Sequence, residues 1–243
     1  MFFSNKIWAV IPARSGSKGL KNKNIKKIMN KPLIAHSIIS AVKNKKISKV
    51  IFSSNSRKYI SIAKKYNCDY YHKRSRKNSL DNSKDIDLFR EIISFLKKKK
   101  IVIPKYFVHF RPTTPIRTNN TINKAIDIFL KKKKIISALK TVTLNSHNSL
   151  KDYIIKNKKL YSFYKKYGNN IDRVNIPRDR LPRTYIGNGV VDIYKTKNIL
   201  KGKLLGNKVF PLITKELFCD IDNLNDFKYA KYLMSRSKKW NLT

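Results

Sequence analysis

Acidic side chains are what this sequence has least of. Fourteen Asp and Glu stand against 56 Lys and Arg, for a formal net charge of +42. Only two of the acids are Glu, Glu91 and Glu216; of the 12 Asp, eight gather at 81, 85 and 87, at 172 and 179, and at 220, 222 and 226. An acid kept in so basic a chain is expected to have a task, helix capping included. Cysteine is nearly absent, and Cys68 and Cys219 alone cannot build a disulfide framework or a zinc site. His36, His72, His109 and His147 are scattered without metal-ligand spacing. No apolar run approaches the length of a membrane span, roughly 18 residues or more, so no membrane partner is expected. The stretch before Ile7 lacks the apolar length and small-residue cleavage site of a signal peptide. A reduced, cytoplasmic protein is the expectation.

The excess of positive charge has two readings. Such a charge attracts polyanions without regard to sequence, which suits a nucleic-acid-binding protein or a membrane-surface protein. The other reading is compositional drift: Lys (44), Ile (31) and Asn (24) make up 99 of 243 residues, and all three have A/T-rich codons. Arg, preferred for base recognition and bidentate phosphate contacts, occurs only 12 times. Lysine runs at 97–100 and 131–134 fall at the ends of apparent helices, where they complement the dipole and face water. No RNP-type aromatic pattern or zinc spacing supports RNA or DNA recognition, so no specific nucleic-acid partner is expected.

The segment Ile7–Asn24, IWAVIPARSGSKGLKNKN, carries the most chemistry. Its first five residues have the composition of a buried strand ending at Pro12. The loop that follows holds Arg14, Ser15, Gly16, Ser17, Lys18 and Gly19. Glycines let backbone N–H groups turn inward, hydroxyls add donors, and Arg14, Lys18 and Lys23 bring charge, which is the chemistry of a polyphosphate cradle. The spacing matches neither a P-loop nor a dinucleotide fingerprint.

Helical spacing over Pro32–Lys43, Arg57–Tyr66, Asp85–Lys97 and Thr121–Lys131 alternates with strand-like runs at Lys49–Ser53, Cys68–His72 and Tyr106–Phe110. This alternation predicts an α/β chain, a mostly parallel sheet between helical layers, with ligands at the carboxyl ends of the strands. The rhythm breaks after about residue 140. Asp152–Ile155 and Leu160–Tyr164 can pair as a hairpin across Lys156–Lys159, and the pattern resumes with strands at Val190–Tyr194 and Lys208–Ile213 and a last helix from about Asn225. A single domain over 1–243 is expected, with an inserted arm at about 141–185 that serves as lid or oligomer interface.

Three further segments fall where this architecture places a site. Arg74–Asp87 is a polar loop entering a helix, although Asp81 and Asp85 could merely cap it. Arg111–Arg117, RPTTPIR, is a turn stiffened by two prolines that presents Thr113 and Thr114, with Arg117 read as pinning it. Asp220-Ile221-Asp222 alternates with period two, so a strand there would put both carboxylates on one face, suited to Mg²⁺ shared with a nucleotide.

Taken in order, IPARSGSKGLKNKNI…KPLIAHSI, FSSNS at 52–56, the Arg74–Asp85 segment, RPTTPIR, NIPRDRLPRTYIGNGVVDIYK at 175–195 and DID at 220–222 resemble the acylneuraminate cytidylyltransferase (CMP-sialic acid synthetase) family over nearly the whole chain. The resemblance implies a three-layer Rossmann-like sheet of the nucleotide-diphospho-sugar transferase type with an inserted dimerisation arm, acting as a homodimer. It implies transfer of CMP from CTP to a nonulosonic acid, a nine-carbon 2-keto sugar acid, with release of pyrophosphate and with Mg²⁺ (or Mn²⁺) as cofactor. By motif position, Arg14, Ser15, Ser17, Lys18, Gly19, Lys23, Asn24, Arg74 and Ser83 fall on nucleotide-binding positions. Arg111, Thr113, Lys151, Arg178 and Asn188 fall on sugar-acid positions, and Asp220 and Asp222 on the metal pair. Arg14, Lys23 and Asp222 are the implied catalytic groups.

Three positions depart from the family pattern: Asn55 where an Asp is common, Lys21 where Pro is frequent, and Arg111 where sialic-acid-specific members often have Gln. Arg111 together with Asn188-Gly189-Val190-Val191-Asp192 is more similar to relatives acting on bacterial sugars such as legionaminic acid. The alternatives are a 3-deoxy-manno-octulosonate cytidylyltransferase, against which the spacing of Ser15–Gly19 argues, and the nucleic-acid-binding protein.

Overall fold

A computed structural model of the chain describes residues 3–164 and 171–236. The first strand, β1 (Phe3–Pro12), is buried on both faces from Ile7 to Ile11 because its side chains there alternate between two cores. Ile7, Ala9 and Ile11 point to one side, and Trp8 and Val10 to the other. The strand runs through Pro12, which pairs with Ser53; the proline closes the strand from within rather than stopping it beforehand. A short hairpin, β2 (Lys27–Ile28) and β3 (Lys31–Pro32), leads into α1 (Leu33–Val42). The units β4 (Lys49–Ser54), α2 (Arg57–Lys64), β5 (Tyr70–Lys73), α3 (Asp85–Lys98), β6 (Ile103–His109) and α4 (Asn119–Lys132) follow. Ser56 and Thr118 cap α2 and α4 by accepting from Tyr59 N and Thr121 N. Lysines fill the last turns of α3 and α4, at the negative ends of their dipoles.

The remaining strands are β7 (Ala138–Leu144), β8 (Tyr153–Lys156), β9 (Lys159–Ser162), β10 (Tyr185–Lys195) and β11 (Val209–Ile213), with α5 (Thr196–Leu200) and α6 (Leu224–Arg236). Seven strands form one sheet in the order β11-β7-β10-β6-β1-β4-β5. β1, β4, β5 and β6 are parallel, and β10 runs antiparallel to β6. Helices α1 and α4 bury Ile34, Ile38, Ile126 and Phe129 on one face; α3 and α5 bury Leu88, Phe89, Ile92 and Ile199 on the other. This is the expected three-layer, mostly parallel architecture. From β1 the chain first builds outward through β4 and β5, then returns to place β6 on the other side of β1. The crevice at the carboxyl ends of β1 and β6 is therefore a topological switch point, where open α/β sheets hold ligands.

Two differences from the sequence pattern have local causes. Strand β7 goes unannounced because its residues, ALKTVTL, directly follow a lysine-rich helix end and lack strict alternation. Asp220-Ile221-Asp222 is not a strand: Ile221 N donates to Thr113 O (2.9 Å), a single bridge rather than a ladder. Ile221 is buried in a third cluster with Leu20, Leu33, Ile116 and Met234, which fixes this segment without a sheet.

The chain divides into two compact units, one made of the residues up to 141 and from 188 onward, the other of Val142–Gly187. The second contains β8 and β9, paired from Tyr153↔Ser162 to Lys156↔Lys159. Between them Asn157 and Lys158 both have positive φ (49° and 62°), as a type I′ turn requires. A lysine is strained there and glycine is not. Lys158→Gly is therefore expected to stabilise the hairpin by about 0.5–1 kcal/mol, read as slower amide exchange at Ile154 and Tyr161 with the far-UV spectrum unchanged.

Candidate active site

A cavity of about 630 Å³ opens at the switch point, lined by the loop after β1, the segment entering α3, the end of β6 and Asp222. Arg14, Ser17, Lys18, Gly19, Lys23 and Asn24 come from the first of these. Asn24 donates to the Arg14 carbonyl (3.0 Å) and so ties the loop's far end to its beginning. Ser15 turns its N–H to Asn55 Oδ1 (2.8 Å) and does not line the cavity. Asn55 thus serves as a backbone acceptor, which an amide oxygen does as well as a carboxylate.

Lys23 is 7% exposed, and its ammonium donates to Ile221 O and to Asp222 Oδ1 (2.9 Å). Gly19 lies against the same segment: a Cβ there would sit 2.4 Å from the Asp222 carbonyl oxygen. Asp222 is held from its other side by the start of α6, where Asp226 Oδ2 accepts from Asp222 N (2.9 Å) and Asn223 N (3.0 Å) while Asn223 Oδ1 accepts from Asp226 N (3.0 Å). This reciprocal arrangement is a capping box. The Asp222 carboxylate itself remains 79% exposed. Asp220 is exposed and outside the cavity lining.

Asp81 bridges the two outer cations, at 2.6 Å from Arg14 Nη1 and 2.6 Å from Lys18 Nζ. Hydrogen bonds from Lys18 and Arg14 hold its carboxyl below the usual range. Ser83 lines the cavity and donates to Lys77 O (3.0 Å). Arg74 lines it too and is 8% exposed, with Nε unpartnered among the described residues. Burial lowers the Arg74 pKa despite Asp85 and Glu91. Glu91 receives Ser75 N (2.7 Å) and Ser75 Oγ (3.1 Å), so one of the two glutamates anchors this loop on α3. The other, Glu216, accepts from Thr118 Oγ1 (2.6 Å) and Thr121 at the start of α4.

At the floor stand His109, Arg111, Pro112 and Thr113. Arg111 donates to Asp85 Oδ2 through both Nη atoms (3.1 Å each), to Asp192 Oδ2 (3.2 Å) and to His109 Nδ1 (3.3 Å). Asp192 is 1% exposed and also receives Tyr194 Oη (3.1 Å). Burial opposes the Arg111 charge, but Asp85 and Asp192 outweigh it and raise its pKa. Burial, then Arg111, pushes His109 down to about 3, so its imidazole is neutral at physiological pH. Asp85 does not cap α3, as the sequence left open; its carboxylate goes to Arg111, and Lys84 at the cap position supplies no side-chain bond. Arg117 does pin the turn: it donates to Val190 O (2.6 Å), Ser37 Oγ (3.0 Å) and Arg111 O (3.2 Å), stacked on Phe110, with burial lowering it to about 9.

Of the sugar-acid positions, Arg111 and Thr113 line the cavity. Asn188 is 1% exposed and donates to Thr214 Oγ1 (2.8 Å) while its Oδ1 accepts from Val190 N (3.2 Å), so it does not line the cavity. Lys151 and Arg178 lie in the second unit, where Arg178 donates to Ser146 O (3.1 Å). Asp81 and His109 line the cavity although sequence reasoning gave them no ligand role. His109 follows a strand's alternation and stands two residues before Arg111, the one signal that could have drawn attention to it.

Residues 8–175 match the model of a family described as cytidylyltransferase. The chain is 27% identical over 240 residues to the N-acylneuraminate cytidylyltransferase of Escherichia coli O18:K1:H7, covering 96% of this chain and 53% of that protein. It is 29% identical over 139 residues to the CMP-N,N'-diacetyllegionaminic acid synthase of Legionella pneumophila, covering 57% of this chain and 60% of that one. The chain thus spans little more than half the length of these curated relatives. Among solved structures, a CMP:2-keto-3-deoxy-manno-octonic acid synthetase complexed with CTP superposes with a TM-score of 0.66 at 14% identity, over 95% of this chain and 99% of that one. At that identity the likeness concerns the fold.

Two outcomes follow from the packing. Gly19→Ala would drive a methyl into the Asp222 backbone, so stability is expected to fall by about 1–3 kcal/mol, in chemical denaturation, with Asp222 displaced from Lys23. His36, His72 and His109 all have pKa values lowered by burial. A lowered pKa favours the neutral native form, so stability is full above the unfolded value of about 6.5 and is lost as pH falls toward the folded value, by up to ~1.4 kcal/mol per pH unit for each such group. His109→Phe should give a shallower loss of unfolding free energy between about pH 6 and pH 4; an unchanged slope would contradict a neutral His109.

Proposed function

This chain belongs to the cytidylyltransferase family, and on that footing we propose that it transfers CMP from CTP to the anomeric hydroxyl of a nonulosonic (sialic-type) acid, releasing pyrophosphate. The observation that carries this reading is the convergence of Arg14, Lys18 and Lys23 with Asp222 in one cavity at the switch point. Those three cations suit a triphosphate, and one exposed carboxylate beside them suits a hard divalent cation shared with it.

In-line displacement at the α-phosphate needs no covalent nucleophile; it needs alignment and compensation of charge. Arg14 and Lys18 are exposed enough to exchange Asp81 for phosphate oxygens, and they would stabilise the charge that develops on departing pyrophosphate. Lys23, buried and tied to Asp222, holds the carboxylate in register with the loop. The donor set fits Mg²⁺. Asp222 has one oxygen on Lys23, and among the described residues no cluster of three or more His, Cys, Asp or Glu forms an all-protein cage. Mg²⁺ completes its shell with phosphate oxygens and water and so needs only one or two carboxylates. Asp222, with Asp220 beside it, would hold the ion, which when bound neutralises phosphate charge and acidifies the attacking hydroxyl.

A homodimer and a cytoplasmic site of action, with CTP drawn from the nucleotide pool, belong to the same proposal. Tyr153, Ile155, Leu160, Tyr161 and Phe163 in the second unit are exposed (37–75%), an apolar set that a second copy of the chain would cover. Lys151 and Arg178, carried by that unit, are the proposed partners of the sugar carboxylate; an arginine can take it by two parallel bonds. No helix among the described residues is long and apolar enough to cross a membrane.

The test is pyrophosphate release from CTP and Mg²⁺ with a panel of sialic, legionaminic, pseudaminic and 3-deoxy-manno-octulosonic acids. Turnover with at least one nine-carbon acid is expected, and silence across the panel in a protein that binds CTP would refute the acceptor class. Arg14→Ala should lose roughly 100- to 1000-fold in kcat. Asp222→Asn should abolish metal-dependent turnover while leaving salt-sensitive binding to nucleic acid unchanged or slightly stronger. Parallel loss of both would favour a polyanion-binding protein instead.

A further inference from the structure

The cavity floor holds one carboxylate oxygen that the protein does not use. Asp85 lines the cavity with its side chain 40% exposed. Both Arg111 Nη atoms donate to its Oδ2, at 3.1 Å each, whereas Oδ1 has no protein partner among the described residues. Arg111 fixes this geometry and is itself committed. Each Nη carries two N–H groups; Nη1 serves Asp85 and His109, and Nη2 serves Asp85 and Asp192. A fork with those bonds made is not open to a substrate carboxylate in the bidentate manner.

Charge at the floor is partly compensated. Arg111 and Lys140, the latter 3.5 Å from Asp192, are matched by Asp85 and Asp192, with His109 neutral between them. Elsewhere in the lining, the loop after β1 supplies Arg14, Lys18 and Lys23, the cations suited to phosphate. Burial alone would raise the Asp85 carboxyl, but the cations around it, Arg111, Arg74 and Lys140, hold it below the ordinary range. It is therefore an ionised acceptor at any physiological pH, too weak a base to take a proton and well suited to receive a hydrogen bond.

We propose that Asp85 is a specificity-determining residue for the sugar acid: its Oδ1 accepts a hydrogen bond from an N–H or O–H substituent of the acceptor and selects against acids lacking a donor at that place. The proposal rests on the cytidylyltransferase reading and adds to it the group that reads the sugar. An acceptor already oriented by two N–H···O bonds loses little freedom on binding. A substrate that covers Asp85 without offering the donor leaves its Oδ1 without a partner, which a site of this kind rejects.

The experiment uses the full chain with CTP, Mg²⁺ and a series of nonulosonic acids in which each acylamino group is replaced in turn by hydroxyl and by hydrogen. In the unsubstituted enzyme, one position is expected to tolerate hydroxyl and to lose roughly 10- to 100-fold in kcat/KM on replacement by hydrogen. In Asp85→Ala that penalty should vanish, because no acceptor is left to miss the donor, while KM for CTP stays within about twofold. Asp85→Asn, which keeps the shape and a neutral oxygen, should show a reduced penalty and carries the test if the alanine variant does not fold. A penalty unchanged in both variants overturns the inference alone. So does a KM for CTP that rises in step with that for the acid, since Asp85 would then act only by holding Arg111 and the floor. No turnover by the unsubstituted enzyme with any acid overturns the proposed function and this inference with it.

Discussion

The bond between Lys23 and the 221–222 segment closes the molecule on itself. It joins the first loop of the chain to the segment before the last helix, 199 residues apart, through a buried ammonium. Packing makes it exacting: Gly19 touches the Asp222 backbone, Ile221 fills the third cluster, and α6 caps the residues that follow. The carboxylate proposed for the metal therefore has its backbone fixed on both sides while its side chain stays in water. Rigid main chain under an exposed ligand is what a site needs if the ion is to arrive with the nucleotide.

The few acids of this chain organise several of its polar segments. Glu91 anchors the Arg74–Ser83 loop, Glu216 gathers the threonines that start α4, and Asp226 caps α6. Asp85 and Asp192 balance Arg111, and Asp81 bridges Arg14 and Lys18. Most lysines, by contrast, sit at helix ends and surfaces where water screens them. Asymmetric composition has thus left these carboxylates with local partners, which is why they, rather than the abundant cations, trace the candidate site and its supports.

Much of this was legible in the sequence. Helices α1 to α4 declared themselves by apolar spacing, and the strands at β1, β4, β6 and β10 by short apolar runs, because period and burial are local properties. The loop from Arg14 to Asn24 was legible through its glycines and cations. Other features depend on pairs far apart in the chain. That Arg111 would be bound by Asp85 and Asp192 required knowing that β10 lies antiparallel beside β6, with Asp192 opposite His109. Strand β7 was hidden by the lysine run before it, and the 220–222 segment read as a strand because a chain held by one bridge can carry the same alternation.

Asp81 gives the proposed nucleotide loop a property that its cations alone would lack. In so basic a protein, a bare cluster of Arg14 and Lys18 would attract inorganic phosphate, monophosphates and nucleic-acid backbone alike. The carboxylate tethered between them acts as a resident competitor, at an effective concentration on the order of millimolar or above. Ligands that offer one weakly held phosphate must contend with it on nearly equal terms. In the proposed function, a triphosphate would displace it with several oxygens while gaining Lys23 and the ion proposed at Asp222. The bridge thus sets a threshold that sorts ligands by the number of contacts they make, so that a strongly attractive surface still contains a discriminating site.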